Sequence, residues 1–196
     1  MERNITENFS DVLPFIKDSN LRDRLVLILD EYLPSYWFSV GASSTGKYHP
    51  RYAAGEGGLL RHSKAAMAIG YELLENPLFG NQFSDREKDL LLISLLIHDG
   101  LKYNFKKEEY TRFDHPVLME KFIMENYQLW NITKEDADFM SSVVASHMGP
   151  WNTNKYDKTV LPVPETDAQK FVHLCDYLAS RKMLNVDFDE DGLIQR

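Results

Sequence analysis

Residues 84–102, SDREKDLLLISLLIHDGLK, contain a helix start, a long apolar run and a pair of chemically active side chains. Ser84, with Glu87 three residues later, forms a capping-box pattern, which predicts that a helix begins there. His98 falls on the apolar face of this predicted helix, and Asp99 lies beside the helix end. The stretch therefore predicts a helix that carries a histidine and an aspartate toward the protein interior.

The same spacing of apolar residues, at three and four positions rather than two, recurs along most of the chain. This pattern, without internal repeats or low-complexity tracts, predicts an all-α fold. The predicted helices cover residues 11–17, 21–33, 58–74, 84–98, 114–127 and 133–147, and a last one runs from after Pro164 to about residue 184. A loop rich in glycine, serine and aromatic residues is predicted at residues 35–57, and a loop of this length is usually functional or disordered.

Length and composition indicate one globular domain. The chain has 196 residues, of which 43% are hydrophobic and 27% charged. We expect an N-terminal helical extension and loop at residues 1–47, a core at residues 48–184 that carries the candidate functional residues, and an acidic tail at residues 185–196. The acidic residues of this tail are expected to form a solvated end.

Charge and cysteine content narrow the partners and the compartment. The net charge is −8, so the chain lacks a global basic field for long DNA or RNA and would need a local basic patch to bind either. The single cysteine, Cys175, cannot form an internal disulfide, and the N-terminus has no signal-peptide pattern. The longest apolar run is far shorter than the roughly 20 residues of a membrane span. We therefore expect a cytoplasmic protein with no membrane span.

Polar side chains interrupt the apolar faces of five predicted helices. They are His62, His98, Asp99, His115, His147 and Asp176. A single histidine on an apolar face is more often a hydrogen-bonded core residue than a ligand. All six together would need many separate partners, because a buried carboxylate without a partner costs several kcal/mol. A metal centre satisfies them all, and this donor set suits a divalent transition metal such as Mn²⁺, Fe²⁺, Co²⁺ or Zn²⁺.

This ordered set resembles the HD-domain superfamily of metal-dependent phosphohydrolases over residues 48–183. The resemblance is closest to the HD domain of bacterial 3′-to-5′ exoribonucleases. Residues 57–62, GGLLRH, are similar to their Gly-Gly-Leu-Leu-x-His stretch, and residues 146–149, SHMG, to their Ser-His-His-Gly turn. The pair His98-Asp99 followed by Lys102 matches a pattern general to the superfamily. The resemblance implies a single HD-type helical bundle with the metal site at its centre.

Three features depart from the family pattern. Met148 stands where those exoribonucleases have a second histidine, and Gly100 replaces a usual aliphatic residue. Too few residues precede Tyr48 for their separate nucleic-acid-binding domain. The first departure leaves the number of metal ions, one or two, open, and the last weighs against an exonuclease.

The resemblance also implies roles for the six residues. The minimal one-metal site of the superfamily matches His62, His98, Asp99 and Asp176. Where two ions bind, the aspartate of the His-Asp pair bridges them and two further histidines complete the second site, which matches Asp99, His115 and His147. Two ions about 3.5–4 Å apart would activate water and hold the phosphoryl oxygens. Asp99 and Lys102 are thus the expected catalytic residues, with Lys102 contacting phosphate.

Basic and aromatic residues near these ligands predict a substrate site. The expected substrate-binding residues are Lys47, Tyr48, His49, Arg51, Arg61, Lys102 and Trp151. His49 lies in the long loop and could face the site, whereas His173 is expected at the surface. We predict phosphohydrolysis of a small nucleotide or short oligonucleotide. The alternatives are a sequence-tolerant 3′-to-5′ exonuclease and a nucleotide- or metal-sensing module without turnover. The oligomeric state stays open.

Overall fold

The structure is a computed structural model, and it describes residues 5–44, 49–183 and 187–195. Its α-helices are α1 (Ile5–Asn8), α2 (Ser19–Leu27), α3 (Gly58–Glu75), α4 (Pro77–Gly80), α5 (Asp85–Ile97), α6 (His115–Asn126), α7 (Lys134–Ala145) and α8 (Asp167–Ala179). A five-residue π-helix, Ile28–Tyr32, continues α2, and 3₁₀-helices cover Leu13–Phe15, Ser35–Phe38 and Arg51–Ala53. In the described residues, extended structure consists of β1 (Lys102–Phe105) and two isolated bridges. The prediction of an all-α single-domain bundle is confirmed.

Two predicted helix starts are confirmed down to their hydrogen bonds. The Ser84 side chain accepts from the Glu87 backbone, and the Glu87 side chain accepts from the Ser84 backbone, so a complete capping box opens α5. Thr133 and Asp136 form the same pair at the start of α7. These local signals give the helix boundaries because each satisfies backbone N–H groups that have no partner inside the helix.

The helix α5 lies at the centre of the bundle. All nine residues from position 89 to position 97 are buried, and α5 packs against α3, α7, α8 and α2. A helix that is apolar on all sides must be covered on all sides. Because its carboxyl end is also enclosed, the chain delivers His98 and Asp99 directly into the middle of the protein.

The two glycines before α3 allow the chain to turn tightly into that helix. Gly57 has φ +68°, a left-handed conformation that favours glycine. A Cβ on Gly58 would overlap the backbone carbonyl of Ala53. The Gly-Gly pair is therefore required by the approach of the preceding 3₁₀-helix, and it sets the starting point of the helix that carries His62.

Several boundaries differ from the sequence prediction. The last helix ends at Ala179 rather than near residue 184, and Met183, within the predicted extension, is 97% exposed. The predicted helix at residues 11–17 is only a 3₁₀ turn, Leu13–Phe15, because Pro14 supplies no N–H donor. The loop at 35–57 is partly structured, and Trp37 within it is fully buried.

The C-terminal segment is attached to the body of the protein, while its acidic residues Asp187, Glu190 and Asp191 are exposed, as expected for a solvated end. Phe188 and Ile194 form an antiparallel bridge, and the Ile194 backbone N–H donates to the Asp11 carboxylate at 3.0 Å. Lys64, fully buried, donates to the same carboxylate at 3.0 Å. The tail is therefore anchored to the N-terminal segment. No helix among the described residues has the length and apolarity to cross a membrane.

Candidate metal centre

Five helices bring the six predicted ligands to one place. His62 comes from the second turn of α3, His115 is the first residue of α6, and Asp176 lies in α8. His98 and Asp99 directly follow α5, while His147 comes two residues after the end of α7. The side chains of the four histidines and Asp99 are buried, and Asp176 is 18% exposed at its side chain. The predicted metal-ligand set is therefore a real spatial cluster with ligand atoms spaced to hold an ion.

The donor atoms form three overlapping groups, two of which share Asp99, while the third consists of His98, His147 and Asp176. In the first group, His62 Nε2 lies 3.8 Å from Asp99 Oδ2, and His98 Nε2 lies 3.6 Å from the same oxygen. Asp176 Oδ1 lies beside this group, at 3.0 Å from His62 Nε2 and 3.4 Å from His98 Nε2.

The second group contains the other oxygen of the same aspartate. His115 Nε2 lies 3.0 Å from Asp99 Oδ1, and His147 Nε2 lies 3.7 Å from it. The two imidazole nitrogens of His115 and His147 are 3.2 Å apart. One carboxylate thus presents one oxygen to each of the two groups that share it.

Backbone hydrogen bonds determine which imidazole nitrogens are available as ligands. In three histidines Nδ1 lies at hydrogen-bond distance from the carbonyl oxygen three residues earlier. The pairs are His98 with Leu95 at 2.7 Å, His115 with Arg112 at 2.6 Å and His147 with Val144 at 2.7 Å. Because a carbonyl only accepts, we assign the proton to Nδ1, which leaves an Nε2 lone pair directed into the cluster.

The residues fit a bound cation. With the imidazole protons on Nδ1, the buried atoms His98 Nε2 and Asp99 Oδ1 receive no hydrogen bond from the described residues, although His115 Nε2 lies 3.0 Å from Asp99 Oδ1. Lone pairs face one another across the cluster, an arrangement that is unfavourable unless a positive charge lies between them. Ligand bonds of about 2.1 Å at ordinary coordination angles place donor atoms about 3.0–3.4 Å apart, close to the separations found here. The buried His/Asp cluster can therefore hold a metal ion.

The electrostatics of the cluster also favour a cation. Burial alone would raise the pKa of Asp99, but the ammonium of Lys102 and the neighbouring imidazoles lower that pKa well below its usual range. Burial likewise opposes ionisation of Asp176, and the imidazoles of His62 and His98 lower its pKa well below the usual value. Burial opposes a charge on His98, yet the two carboxylates raise its pKa overall. The two anions thus attract positive charge, which a proton or a metal ion can supply.

Two imidazoles of the site are neutral at pH 7. Burial, together with the charges of His98 and His115, lowers the pKa of His147 to about 3. Burial, together with His62 and Lys102, lowers the pKa of His49 to about 3 as well. A neutral imidazole is the form that binds a metal or accepts a proton.

Lys102 pairs with Asp99 by a short charge-assisted hydrogen bond to Oδ2. The ammonium is nearly buried and borders the cavity beside the cluster. Asp99 and Lys102, three residues apart in the sequence, are therefore in direct contact. The turn between α5 and β1 brings them together. Gly100 within this turn is closely packed, since a Cβ there would lie 2.8 Å from Leu33.

A cavity of about 450 Å³ opens onto the cluster. Asp99, Lys102, His115, His147 and Asp176 form one part of its lining. His49 also faces it, with its ring centroid 4.9 Å from that of His62, and Trp151 borders it with 52% of its surface exposed. A cavity of this size accommodates a small organic ligand.

Other predicted substrate-binding residues are not brought to this cavity. Arg51 and Arg61 line a separate surface groove. The guanidinium of Arg61 donates to three backbone carbonyls, including that of Tyr52 at 2.6 Å, so it braces the start of α3. Lys47 and Tyr48 lie outside the described residues.

Sequence reasoning missed three residues of the cavity wall at the end of α8. They are Tyr177, Ser180 and Arg181. The predicted continuation of α8 to residue 184 concealed them, because on a longer helix Arg181 would be an ordinary surface residue. The spacing of four between Tyr177 and Arg181 was the available signal, since such pairs make contact on a helix.

His173 stabilises the turn that contains His147. Its Nδ1 donates to the backbone carbonyl of His147 at 2.7 Å, and it is half-buried rather than on the surface as expected. Gly149, with φ +61°, lies against the same ring, and a Cβ there would overlap the imidazole. The turn formed by residues 146–149 therefore depends on glycine for its close packing. Met148, in the same turn, borders the cavity.

Comparison of the chain with protein-family models, with curated proteins and with solved structures finds no match. The chemistry of the cavity is accordingly inferred from the arrangement of its own residues.

Proposed function

We propose that the protein is a metal-dependent phosphohydrolase of the HD type that cleaves a phosphoester or phosphoanhydride bond of a nucleotide or short oligonucleotide. The observation that carries this proposal is the division of Asp99 between two groups of ligands on the wall of an open cavity. A purely structural metal site is normally closed, whereas a catalytic site keeps a side open to substrate.

The donor set supports two divalent ions rather than one. Oδ2 of Asp99 faces His62 and His98, and Oδ1 faces His115 and His147. Nitrogen and carboxylate donors suit Mn²⁺, Fe²⁺, Co²⁺ or Zn²⁺. When bound, such ions lower the pKa of water and polarise phosphoryl oxygens.

The chain's own groups supply orientation and charge. The carbonyls of residues 95, 112 and 144 hold three imidazole rings at fixed angles, which keeps the ligand set organised without rearrangement. Lys102 places an ammonium beside the same site, where it can complement the charge of a phosphoryl group. His49, neutral and facing the cavity, can form a hydrogen bond with a bound ligand there.

The substrate class follows from size, charge and aromatic content. The cavity of about 450 Å³ suits a nucleotide, and the half-exposed ring of Trp151 offers a surface on which a base can stack. The net charge of −8 argues against long DNA or RNA. A small phosphorylated substrate agrees with all three features.

The test is a turnover assay on metal-stripped protein reloaded with Mn²⁺, Co²⁺, Fe²⁺ or Zn²⁺. Substrates are nucleoside mono-, di- and triphosphates, dinucleoside polyphosphates and short oligonucleotides. We expect metal-dependent phosphate release that Asp176→Asn abolishes and the exposed-site variant Asp138→Asn leaves unchanged. Preferred, salt-sensitive degradation of long single strands would favour the exonuclease, and nucleotide binding without turnover would favour the sensing module.

A further inference from the structure

The cavity wall at the end of α8 contains a cation whose side chain is fixed in place. α8 ends at Ala179, and the next turn directs the Arg181 side chain back over Tyr177. The guanidinium carbon lies 4.3 Å from the centroid of the Tyr177 ring, a cation–π contact. Arg181 also donates from Nε and Nη2 to Ser180 Oγ, at 3.1 and 2.8 Å. Two separate contacts thus hold the guanidinium.

This cation remains available to an anion. The hydrogen bonds to Ser180 occupy two of the five N–H donors of an arginine side chain. In the part of the chain that the structure describes, Arg181 makes no ion pair with a carboxylate, although it borders the cavity. Lys102, by contrast, is already paired with Asp99. Arg181 is therefore the cavity's pre-oriented anion-binding group.

An aromatic surface adjoins this cation. The ring of Trp151 stacks on that of Tyr177, with centroids 5.6 Å apart and planes 7° from parallel. Trp151 keeps half of its surface exposed at the cavity. The stack thus combines an accessible aromatic ring with a fixed guanidinium, and nucleotides contain both a base that stacks and a phosphate that binds arginine.

We propose that Arg181 binds a second phosphate of the substrate, one that is not transferred, so that the site selects nucleotides with at least two phosphoryl groups. The base stacks on Trp151, the reacting phosphoryl group lies at the metal cluster, and Arg181 holds the other phosphate. This inference rests on the proposed function in taking the cavity as the substrate site. Arg181 is a specificity-determining residue in this arrangement.

The binding test uses the protein's own fluorescence. Trp37 and Trp130 are fully buried, so quenching by a nucleotide reports Trp151. The Zn²⁺-loaded protein is titrated with α,β-methylene-ADP, a diphosphate that resists hydrolysis, and with adenosine. We expect Arg181→Gln to weaken binding of the diphosphate analogue about 10- to 100-fold, the usual effect of losing one charge-assisted hydrogen-bonding group. The affinity for adenosine should be unchanged. The matched control Lys182→Gln, one residue further and exposed, should change neither.

A kinetic test separates this inference from the proposed function. With Mn²⁺, Arg181→Gln should raise KM for ADP much more than KM for p-nitrophenyl phosphate, which has one phosphate. A far-UV circular dichroism spectrum equal to that of the parent shows that the variant folds. Equal affinity of parent and Arg181→Gln for the diphosphate analogue, an equal loss in Lys182→Gln, or no quenching in the parent would overturn the inference. Tight, Arg181-dependent binding without any hydrolysis would overturn the proposed function alone.

Discussion

At the scale of single residues, the capacity of the His/Asp cluster to hold a metal ion depends on the direction of lone pairs. Each of three imidazoles uses Nδ1 for a backbone carbonyl and so directs Nε2 inward. Asp99 uses its two oxygens for two groups of nitrogens, and the Lys102 ammonium neutralises it. A change of one atom at Asp99 therefore affects the ligands, the lysine and the stability of the core together.

Asp99→Asn should destabilise the metal-free protein and remove most of its response to metal. The amide leaves the nearly buried Lys102 ammonium without its carboxylate, a loss of about 3–5 kcal/mol for a buried pair. It also removes the shared negative ligand. The measurement is the melting temperature with and without Mn²⁺. Asp89→Asn is the matched control, because Asp89 is buried in α5, just before Asp99 in the chain, but accepts from the backbone N–H groups of residues 17 and 18. It should lower the melting temperature and keep the full metal shift, and an undiminished shift in Asp99→Asn would remove Asp99 from the centre.

Lys102→Ala should retain bound metal and lose activity. Its ammonium borders the cavity beside Asp99, so its removal takes away charge stabilisation of a phosphoryl group, and we expect a fall of about 10²-fold in kcat. Metal content by elemental analysis and phosphate release check the two parts. Lys106→Ala, an exposed lysine of the following loop, is the control and should change kcat little. Equal losses in both variants would mean that the loop acts through its total charge.

At the scale of secondary-structure elements, helix ends position the chemistry. Each of α5, α6 and α7 places a residue of the cluster at or just beyond one terminus, so a small shift of the helix along its axis moves that residue. Asp136 fixes two of these helices at once. It belongs to the capping box of α7 and also accepts from Arg86 of α5, with 2.9 Å between Arg86 Nε and Asp136 Oδ1.

Asp136→Asn should lower the free energy of unfolding by about 1–2 kcal/mol at pH 7. Burial opposes ionisation of Asp136, but Arg86 and Thr133 lower its pKa below the usual value. A carboxylate with a lowered folded-state pKa contributes stability above its unfolded pKa of about 3.9 and loses that contribution as the pH falls through the folded value. The difference between parent and variant in denaturant melts should therefore disappear in acid.

The control for this prediction is Asp138→Asn on the same helix. Asp138 pairs with Lys134 on the exposed face, with 2.6 Å between the charged atoms, and exposed pairs contribute little. Its effect should be much smaller than that of Asp136→Asn at every pH. Equal effects of the two substitutions would show that Asp136 acts as an ordinary surface charge.

At the scale of the whole molecule, the cluster joins five helices that are separate in sequence. α3, α5, α6, α7 and α8 each contribute, at the helix or just beyond it, a donor to the same few ångströms of space. A bound ion would cross-link them, whereas α1 and α4 contribute no ligand. The stabilising effect of metal should accordingly extend over most of the bundle.

Metal should raise the stability of the entire bundle. Binding to the native state alone contributes about 2.7 kcal/mol at a metal concentration one hundred times Kd. Hydrogen exchange with Mn²⁺ against chelator should slow in the five ligand-bearing helices, with a smaller change in α1 and α4 as internal references. Chelation should abolish phosphohydrolysis, and Mn²⁺ should restore it. Full activity in excess chelator would contradict a metal mechanism, and slower exchange confined to a single helix would contradict a shared centre.

The sequence by itself determined most of the helices and the six residues that form the buried cluster. Capping boxes at Ser84 and Thr133 act within one turn, so reading three neighbouring residues is enough to locate a helix start. Apolar spacing identified the inward faces, and six polar residues on those faces became the cluster, because burial gives such groups few other ways to be satisfied.

Only the tertiary structure decided how charges are distributed among partners distant in sequence. Lys64 and Arg61 flank His62 in the chain, yet one pairs with Asp11 and the other with backbone carbonyls, while Arg181 reaches the cavity. The division of the Asp99 oxygens between two groups of nitrogens was also invisible in the sequence. The pairing of side chains depends on the distances between helices that meet across the core. Local sequence determines where each helix forms, but it does not determine which residues of other helices its long side chains contact.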